Sequence, residues 1–220
     1  FISTGSSDSD AYIAPIYSHF GERLGCRVSV LKLVVDKPDF EQVKKSILSA
    51  DIIYVGGGDT KLMIDVWKQT GVADLLVQAY HNGVVLSGIS AGAICWGSIY
   101  DNLDYVSPNE KLGLLKGLGF INGLYILPHF DNEQENLERF KTLIKENAIK
   151  CIALDNCAAL EFIDNEYRII ISKDTANAYE LFWEKGKFIQ RKLSNFEEFK
   201  LISDLLLDNS CKNKKGLKLT

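Results

Sequence analysis

The chain has 220 residues, 46% of them hydrophobic and 25% charged, which is enough for one large globular core. Its net charge of -4 gives no broad positive surface, and no apolar stretch reaches the roughly 20 residues of a membrane span, so we expect neither nucleic acid nor a membrane as partner. Five cysteines without a Cys-x-x-Cys pair or a neighbouring histidine predict reduced thiols in a cytoplasmic protein, not a zinc site or disulfides.

The beginning of the chain alternates between helical and strand patterns. Because the sequence starts without methionine, we interpret Phe1-Ile2-Ser3 as the end of an opening strand that has lost its beginning. The elements predicted before residue 80 are helices at 8–24 and 40–48, strands at 27–31 and 51–55, and one or two helices over 60–79. Gly71 is the predicted break within the last of these segments.

A Gly-x-Ser-x-Gly motif, Gly88-Ile89-Ser90-Ala91-Gly92, follows the apolar run Val84-Val85-Leu86 and opens the apolar segment Ala93-Ile94-Cys95-Trp96. This order predicts a strand, a sharp turn and a helix, which is the setting of a nucleophile elbow. The glycines allow two backbones to crowd together while the serine presents its hydroxyl to a cleft. Ser90 is therefore a candidate nucleophile, and the alternative is a turn in which Ser90 merely caps the helix.

The rest of the chain keeps this alternation at first and then changes to hairpins. Its predicted elements are a polar loop at 101–111, strands at 124–127 and 151–154, a helix at 132–146, hairpin strands at 159–163, 167–172, 179–184 and 187–192, and a last helix at 196–207. The alternation predicts a single α/β domain over residues 1–220. We expect a mostly parallel sheet flanked by helices on both faces, with C-terminal β-hairpins.

Two glycine clusters fall at predicted strand ends, where ligands bind in an open parallel sheet. One is the serine motif, and the other is Gly56-Gly57-Gly58-Asp59-Thr60. Acyl hydrolysis needs backbone amides aimed at the oxygen that becomes negative, and we predict this oxyanion hole from Gly57 or Gly58 together with Ala91. A phosphate cradle and a purely structural turn are the alternatives, although the glycine run lacks the spacing of nucleotide-binding loops.

The serine proton needs a base, and the chain offers three histidines, His19, His81 and His129. His129 follows the predicted strand at 124–127 and so emerges at a strand end, whereas the other two have the setting of surface or interface residues. We therefore predict His129 as the base. An α/β-hydrolase is disfavoured, because that fold has its histidine near the C-terminus and no histidine follows His129 here.

Three motifs together, Gly56-Gly57-Gly58-Asp59-Thr60, Gly88-Ile89-Ser90-Ala91-Gly92-Ala93 and Leu127-Pro128-His129-Phe130, resemble the peptidase E and cyanophycinase family of serine peptidases. The resemblance covers most of residues 1–172. It implies the fold of the class I glutamine amidotransferases, with serine in place of cysteine at the elbow. It also implies that Ser90 is the nucleophile, His129 the base and Gly58 the oxyanion-hole glycine.

The third member of the triad departs from the family pattern. The family places a glutamate after a strand downstream of the histidine, and the matching position here is Asn156. An asparagine can hold the imidazole in the correct tautomer by accepting its N–H, but it cannot stabilise imidazolium by charge. Asp155 is the neighbouring alternative, Asp131 and Asp104 are two more, and a plain turn at 155–156 is equally open.

Substrate recognition departs from the family as well. Its aspartyl dipeptidases have basic residues downstream of the histidine, whereas residues 131–136 here are acids and amides, so Asp-X specificity is not carried over. Asp59 and Arg139 are the predicted substrate-binding residues. Arg139 has the alternative of a helix-surface ion pair with Glu135.

The resemblance implies a cytoplasmic serine peptidase that hydrolyses short peptides, in the manner of a dipeptidase, through a Ser90 acyl-enzyme with His129 as general base. It implies no cofactor and no metal, and we allow for a homodimer. An amidase or esterase acting on a non-peptide acyl substrate is one alternative. A catalytically decayed binding protein of the same fold is the other.

Overall fold

A computed structural model describes residues 1–195 and 198–206. Contacts divide the chain into two compact units, Phe1–Pro128 and His129–Thr220. Each unit has strands and buried apolar residues of its own. Within the described ranges, no helix combines the length and the apolar character that a membrane crossing requires.

The helices of the first unit form where their apolar spacing predicts them. They are α1 (Asp10–Ile16), which continues into a wider π-helical segment (Tyr17–Arg23), α2 (Phe40–Leu48), α3 (Thr60–Thr70), α4 (Val72–His81) and the short α5 (Ala91–Ile94). The Asp39 carboxylate caps α2 by accepting the Gln42 N–H at 2.9 Å. Gly71, with a φ of 76°, separates α3 from α4, which confirms the predicted break.

Strands β1 (Ile52–Val55) and β2 (Val85–Gly88) pair in parallel, with Ile52 opposite Val85. Ile2 adds isolated parallel bridges to Leu31 and to Val55. The strand predicted at 27–31 is wrong, because Leu31 alone makes a bridge there and the segment before it is mostly exposed.

Three more strands of the first unit follow α5: β3 (Gly97–Asp101), β4 (Leu114–Lys116) and β5 (Ile121–Leu127). β3 runs parallel to β5 and antiparallel to β4. The sequence predicts β5 but neither β3 nor β4, because β3 follows the apolar end of α5 without a turn signal. The Tyr125 hydroxyl donates to the Asp101 carboxylate at 2.9 Å and ties β5 to the end of β3.

The core of the first unit lies under β1 and α5. Trp67 is fully buried, and its indole N–H donates to the Thr4 hydroxyl at 3.1 Å. Ala91 and Cys95, which flank the first turn of α5, are almost completely buried. Because close packing resists displacement, the start of α5 has little freedom to move.

The second unit is richer in strands. It contains α6 (Leu137–Asn147), β6 (Cys151–Leu154), β7 (Ala158–Ile163), β8 (Glu166–Ile171), β9 (Ala178–Glu184), β10 (Lys187–Leu193), β11 (Lys200–Leu201) and α7 (Ile202–Leu206). β9 pairs with β6 and β10, and β8 pairs with β7 and β11, always antiparallel. The predicted hairpin strands are therefore confirmed.

The expectation of a mostly parallel sheet needs correction, whereas the α/β class is confirmed. The described strand pairs are mixed: β1–β2 and β3–β5 are parallel, and the pairs described within the second unit are antiparallel. Tight turns produce two of the antiparallel pairs, β7–β8 through Asp164-Asn165 and β9–β10 through Lys185-Gly186, where Asp164, Lys185 and Gly186 have positive φ. A two-residue turn joins neighbouring antiparallel strands directly, whereas parallel neighbours need a long crossover.

Two predicted helices differ from the structure at their ends. The helix predicted at 132–146 begins with 3-10 turns at Phe130–Asn132 and Gln134–Asn136, and α-helical geometry starts only at Leu137. The last predicted helix, 196–207, lies partly outside the described residues. Its described part is divided between β11 and α7.

Candidate active site

Ser90 lies at the turn between β2 and α5, with a φ of 55° and a ψ of −124°. A non-glycine residue rarely adopts this conformation, and such strain persists only where the surrounding structure enforces it. The Ser90 side chain makes no capping hydrogen bond to α5. The strand, sharp turn and helix predicted for the motif are therefore present, and the capping alternative does not describe this serine.

The two glycines of the motif are required by close backbone contacts. A Cβ at Gly88 would lie 2.2 Å from the carbonyl oxygen of Gly92. A Cβ at Gly92 would lie 2.3 Å from the carbonyl oxygen of Val55, at the end of β1. Both distances are far inside van der Waals contact, so a side chain at either position would force the backbones apart and release the turn at Ser90.

Each glycine of the run after β1 has its own structural reason. A Cβ at Gly56 would lie 2.9 Å from the rings of Phe1 and Tyr12, and one at Gly57 would lie 3.0 Å from the Ser90 Cβ. Gly58 has a φ of 128°, and its Cβ would lie 2.0 Å from the Gly5 carbonyl oxygen. The glycine run therefore lies directly against the serine turn.

The predicted oxyanion donors differ in their present partners. The Gly57 N–H donates to the hydroxyl of Tyr12 at 2.9 Å. Ala91 is the first residue of α5, so its N–H has no acceptor within the helix. Gly58 is exposed, next to Gly57. The role of these amides in catalysis stays a prediction, and Gly57 would have to give up Tyr12 to serve directly.

Asp59, a predicted substrate-binding residue, caps α3 by accepting the Leu62 N–H at 2.8 Å, and it also accepts a hydrogen bond from the Tyr105 hydroxyl. Burial alone would raise the pKa of Asp59, but these two hydrogen bonds, together with the backbone N–H and the charge of Lys61, hold the pKa below its ordinary value. The carboxylate is therefore ionised at neutral pH, and it is exposed one residue beyond Gly58.

Asp104, one of the alternatives for the third triad member, lies in the same acidic region of the first unit. Burial, together with the nearby carboxylates of Asp101 and Asp59, raises the pKa of Asp104. This environment opposes negative charge at Asp104. Stabilising an imidazolium requires the opposite, so Asp104 is poorly suited to that role.

In the second unit, His129 is held by a chain of hydrogen bonds. The His129 Nδ1 lies 2.7 Å from the Asn156 Oδ1. The carboxylate of Asp131 in turn accepts the Asn156 backbone N–H at 2.9 Å and the side-chain Nδ2 at 3.0 and 3.1 Å. His129 also has a φ of 56°, a left-handed conformation that turns its side chain out of the strand direction.

These contacts determine the tautomer of His129. The Asp131 carboxylate only accepts hydrogen bonds, so the group of Asn156 that faces it is the amide nitrogen, and the oxygen faces His129. That oxygen can only accept, so a neutral His129 ring carries its proton on Nδ1 and its lone pair on Nε2. The backbone and then the side-chain hydrogen bonds from Asn156 lower the pKa of Asp131, which keeps its carboxylate charged.

Asp155 has a different set of partners. It is buried, and its carboxylate accepts the backbone N–H of Asn177 at 2.8 Å and the Asn177 side-chain amide at 3.1 Å. The Asp155 N–H donates to the Asn177 carbonyl oxygen at 2.9 Å. The Asp155 Oδ2 therefore fixes the loop before β9, whereas the hydrogen bond at His129 Nδ1 is made by Asn156.

Arg139, the other predicted substrate-binding residue, is half-buried on α6. Its guanidinium donates to the Asn136 side-chain oxygen at 3.3 Å. His19 and His81 are exposed, and their rings contact the neighbouring rings of Phe20 and Tyr80. Their setting agrees with the surface role expected from the sequence.

Two residues gain importance from the structure. Asp131 is two positions after His129, a spacing that could have drawn attention to it, and the sequence offers it only as one of several alternatives. Tyr12 carries no motif, and no feature of the sequence indicates that its hydroxyl meets Gly57, 45 positions away.

Comparisons with known proteins agree with the motifs. The family model Peptidase family S51 matches residues 1–170. The chain is 38% identical over 184 residues to "Uncharacterized peptidase YgaJ" of Bacillus subtilis (strain 168). These aligned residues make up 82% of this chain and 76% of that protein. It is 26% identical to "Uncharacterized peptidase PM1590" of Pasteurella multocida (strain Pm70), over 59% of this chain and 63% of that protein.

Solved structures share the fold. A peptidase from an acI-B1 Actinobacterium superimposes with a TM-score of 0.71 at 19% identity, covering 91% of this chain and 82% of that one. A putative peptidase E protein from Listeria monocytogenes EGD-e gives a TM-score of 0.53 at 20% identity, with 88% and 85% covered. With the family model matching most of the chain, the resemblance to peptidase E is confirmed, and the protein belongs to peptidase family S51, as a serine-type peptidase.

Proposed function

We propose that this peptidase hydrolyses short peptides through a Ser90 acyl-enzyme, with His129 as general base and then general acid. The observation that carries the proposal is the strained conformation of Ser90, which close contacts at Gly88 and Gly92 enforce. Strain of this kind is costly and is concentrated at functional sites, and it presents the serine hydroxyl at a sharp turn. The order of the three family motifs supports His129 as the base.

The proposed chemistry follows the acyl-transfer scheme. His129 Nε2 takes the proton of the Ser90 hydroxyl as Oγ attacks the peptide carbonyl carbon, and the carbonyl oxygen becomes negative. The amides of Gly58 and Ala91 donate to that oxygen. The C–N bond then breaks and the imidazolium gives its proton to the leaving amine. In the second half, His129 takes a proton from a water molecule as that water attacks the acyl carbon. The bond to Ser90 Oγ breaks, the acid leaves, and His129 returns the proton to Oγ.

The third position of the triad is proposed to be shared by two residues. Asn156 orients the imidazole through its Oδ1 at 2.7 Å from Nδ1. Asn156 is neutral, but the Asp131 carboxylate behind it is charged and interacts electrostatically with His129. An imidazolium formed at His129 would therefore have the negative charge of Asp131 on the far side of Asn156. An isolated asparagine would not provide such a charge.

Asp59 is proposed to receive a cationic group of the substrate, such as the peptide N-terminus. Its exposed carboxylate is ionised at neutral pH and follows Gly58 directly. The variant Asp59→Asn removes the charge but keeps a good helix cap for α3. We expect a raised KM for free dipeptides and little change for N-acetylated ones, measured across a dipeptide panel. Equal effects on both series would contradict the role of the charge.

The test of the proposed function is active-site labelling with a fluorophosphonate, followed by mass spectrometry of the adduct. We expect the wild type to be labelled at Ser90, and both Ser90→Ala and His129→Ala to abolish labelling. His81→Ala is the matched control, since it removes an exposed histidine outside the motifs. Dipeptides and simple esters assayed in parallel show whether peptides are the preferred acyl compounds.

Each outcome decides a different part of the proposal. A wild-type protein without label or turnover would identify a decayed member of the family that keeps the turn geometry. Labelling that survives His129→Ala would show that the base is another residue. Turnover of esters without turnover of any peptide would favour the esterase alternative.

A further inference from the structure

Tyr12 brings a phenolic hydroxyl to the serine turn. Its oxygen accepts the Gly57 N–H at 2.9 Å, although Tyr12 lies far away in sequence, on α1. Gly57 belongs to the glycine run from which the oxyanion donors are predicted. The amide therefore already holds an oxygen at the place where a reacting oxygen is expected.

The ring of Tyr12 is held in place by the glycine run. A Cβ at Gly56 would lie 2.9 Å from the Tyr12 Cε1, so the ring packs directly on the Gly56 backbone. The ring of Phe1 stacks against it with the centroids 6.2 Å apart. A phenol supported in this way has few alternative rotamers, and its hydroxyl is positioned before any substrate arrives.

The hydroxyl shares one space with the nucleophile. A Cβ at Gly57 would lie 3.0 Å from the Ser90 Cβ and 3.3 Å from the Tyr12 hydroxyl oxygen. Both side chains therefore border the gap that the missing side chain of Gly57 leaves open. Tyr12 is 37% exposed, so a ligand can reach it from solvent.

The direction of the hydrogen bond leaves the hydroxyl proton available for a further acceptor. The Gly57 N–H can only donate, so it uses a lone pair of the hydroxyl oxygen. An oxygen that accepts such a bond becomes a better donor through its own O–H, because hydrogen bonds in a chain polarise one another. The chain from the Gly57 N–H through the Tyr12 O–H thus ends in a donor beside Ser90.

We propose that Tyr12 is a catalytic residue whose hydroxyl donates to the substrate carbonyl oxygen as that oxygen becomes negative. This inference rests on the proposed acyl transfer at Ser90. Gly57 then acts through Tyr12, while Gly58 and Ala91 donate directly. No proton is transferred in this step, since the phenol only donates a hydrogen bond and keeps its proton when the carbonyl re-forms.

The rival interpretation is that the Tyr12 hydroxyl only blocks the Gly57 N–H by accepting its hydrogen bond, and moves away when substrate binds. The two interpretations give opposite results for Tyr12→Phe. If the hydroxyl only blocks the Gly57 N–H, removing the hydroxyl leaves kcat unchanged or raises it. A donor supplies stabilisation to the transition state, so its removal lowers kcat.

The experiment compares wild type, Ser90→Ala, Tyr12→Phe and the control Tyr17→Phe, which removes a hydroxyl from an exposed tyrosine just beyond α1. Hydrolysis of p-nitrophenyl acetate and the rate of fluorophosphonate labelling are measured for each. For Tyr12→Phe we expect kcat to fall on the order of 100-fold with KM nearly unchanged, as for the loss of one oxyanion donor. Tyr12→Phe keeps the ring on Gly56, and thermal melting verifies that the variant is folded.

A Tyr12→Phe rate equal to that of Tyr17→Phe, or higher than wild type, would overturn the inference. In that case labelled wild type with unlabelled Ser90→Ala would still support the proposed function. If the wild type itself shows neither label nor turnover, the proposed function fails, and the role of Tyr12 fails with it. A Tyr12→Phe variant that raises KM and leaves kcat unchanged would also overturn it, because the contact would then exist in the ground state alone.

Discussion

The serine turn in the first unit and the histidine loop in the second are held by different kinds of contact. At Ser90 the contacts are steric: carbonyl oxygens lie 2.2 and 2.3 Å from where side chains at Gly88 and Gly92 would begin. At His129 the contacts are hydrogen bonds between side chains, from Nδ1 to Asn156 and from Asn156 to Asp131. Steric contacts therefore maintain the serine turn, and hydrogen bonds between side chains maintain the histidine loop.

This difference has consequences for substitution. A close-packed backbone has no room for any added atom, so the serine turn should lose its geometry with the smallest possible change. A hydrogen-bonded chain depends on the pattern of donors and acceptors, so the histidine loop should accept an exchange that keeps the pattern.

Gly88→Ala should have the largest effect. The added methyl would lie 2.2 Å from the Gly92 carbonyl oxygen, so β2 and α5 must separate. We expect a loss of roughly 3 kcal/mol or more in the free energy of unfolding, and no labelling of Ser90. Urea denaturation and fluorophosphonate labelling measure the two quantities.

Gly21→Ala is the matched control, since a Cβ there would make an ordinary contact of 3.8 Å with Val28. It should retain stability and labelling. A Gly88→Ala protein with wild-type stability and labelling would show that steric contacts do not maintain the serine turn.

Exchanging Asp131 and Asn156 should show whether the histidine loop depends on the order of donors and acceptors or on these particular residues. In Asp131→Asn an amide nitrogen replaces Oδ2, which now accepts from the Asn156 Nδ2 at 3.1 Å, so two donors face each other. We expect the Asn156 amide to turn in response and to offer a donor to His129 Nδ1. The imidazole then carries its proton on Nε2 and cannot act as base, and we expect kcat to fall by roughly 100-fold to 10,000-fold. The tautomer is measured from the nitrogen chemical shifts of His129.

The double variant Asp131→Asn/Asn156→Asp restores the pattern with the roles exchanged. The amide at 131 then donates to a carboxylate at 156, which accepts the His129 Nδ1–H. We expect kcat to return to within about 10-fold of wild type, whereas Asn156→Asp alone places two carboxylates in contact and should remain impaired. A double variant no better than either single one would contradict the proposed chain of hydrogen bonds.

Asp155→Ala should affect stability more than catalysis. It leaves the Asn177 N–H without its buried acceptor, at a cost of about 1 to 3 kcal/mol in the free energy of unfolding. The kcat of the folded variant should stay near that of wild type. Asp174→Ala, which changes an exposed residue of the same loop, should leave both unchanged. A kcat as low as that of His129→Ala would instead make Asp155 the partner of the imidazole.

The smallest expected effect is the loss of folding stability at low pH that follows from protonation of the Asp131 carboxylate. Hydrogen bonds from Asn156 lower the pKa of Asp131 in the folded state. A carboxyl of this kind stabilises the fold fully above its unfolded pKa, and the stabilisation is lost as the pH falls through the lower, folded pKa. The stability advantage of wild type over Asp131→Asn should therefore be constant near neutral pH.

The same advantage should shrink once the pH falls below the ordinary aspartate pKa of 3.8. Thermal melting from neutral to strongly acidic pH measures it, and Asp174→Asn serves as the exposed control. An advantage that grows as the pH falls would have the wrong sign for a lowered pKa.

The sequence predicts the local parts of this molecule well. The helix α2, the strand β6 and the break at Gly71 lie where spacing and glycine chemistry place them. The strand predicted at 27–31 is wrong and the strands β3 and β4 are missed, because pairing depends on partners that local pattern does not reveal. The expected mostly parallel sheet is only partly present, because the two-residue turns at 164–165 and 185–186 join neighbouring antiparallel strands.

The serine turn and the family are predictable from the sequence, because the glycines and the serine of the motif lie together at 88–92. The side chains that supply the hydrogen bonds are known from the folded structure alone. The Tyr12 hydroxyl reaches Gly57 across 45 positions, and the Asp131 carboxylate reaches Asn156 across 25. Hydrogen bonds of this range depend on how the chain folds back, and no local spacing of residue types encodes that.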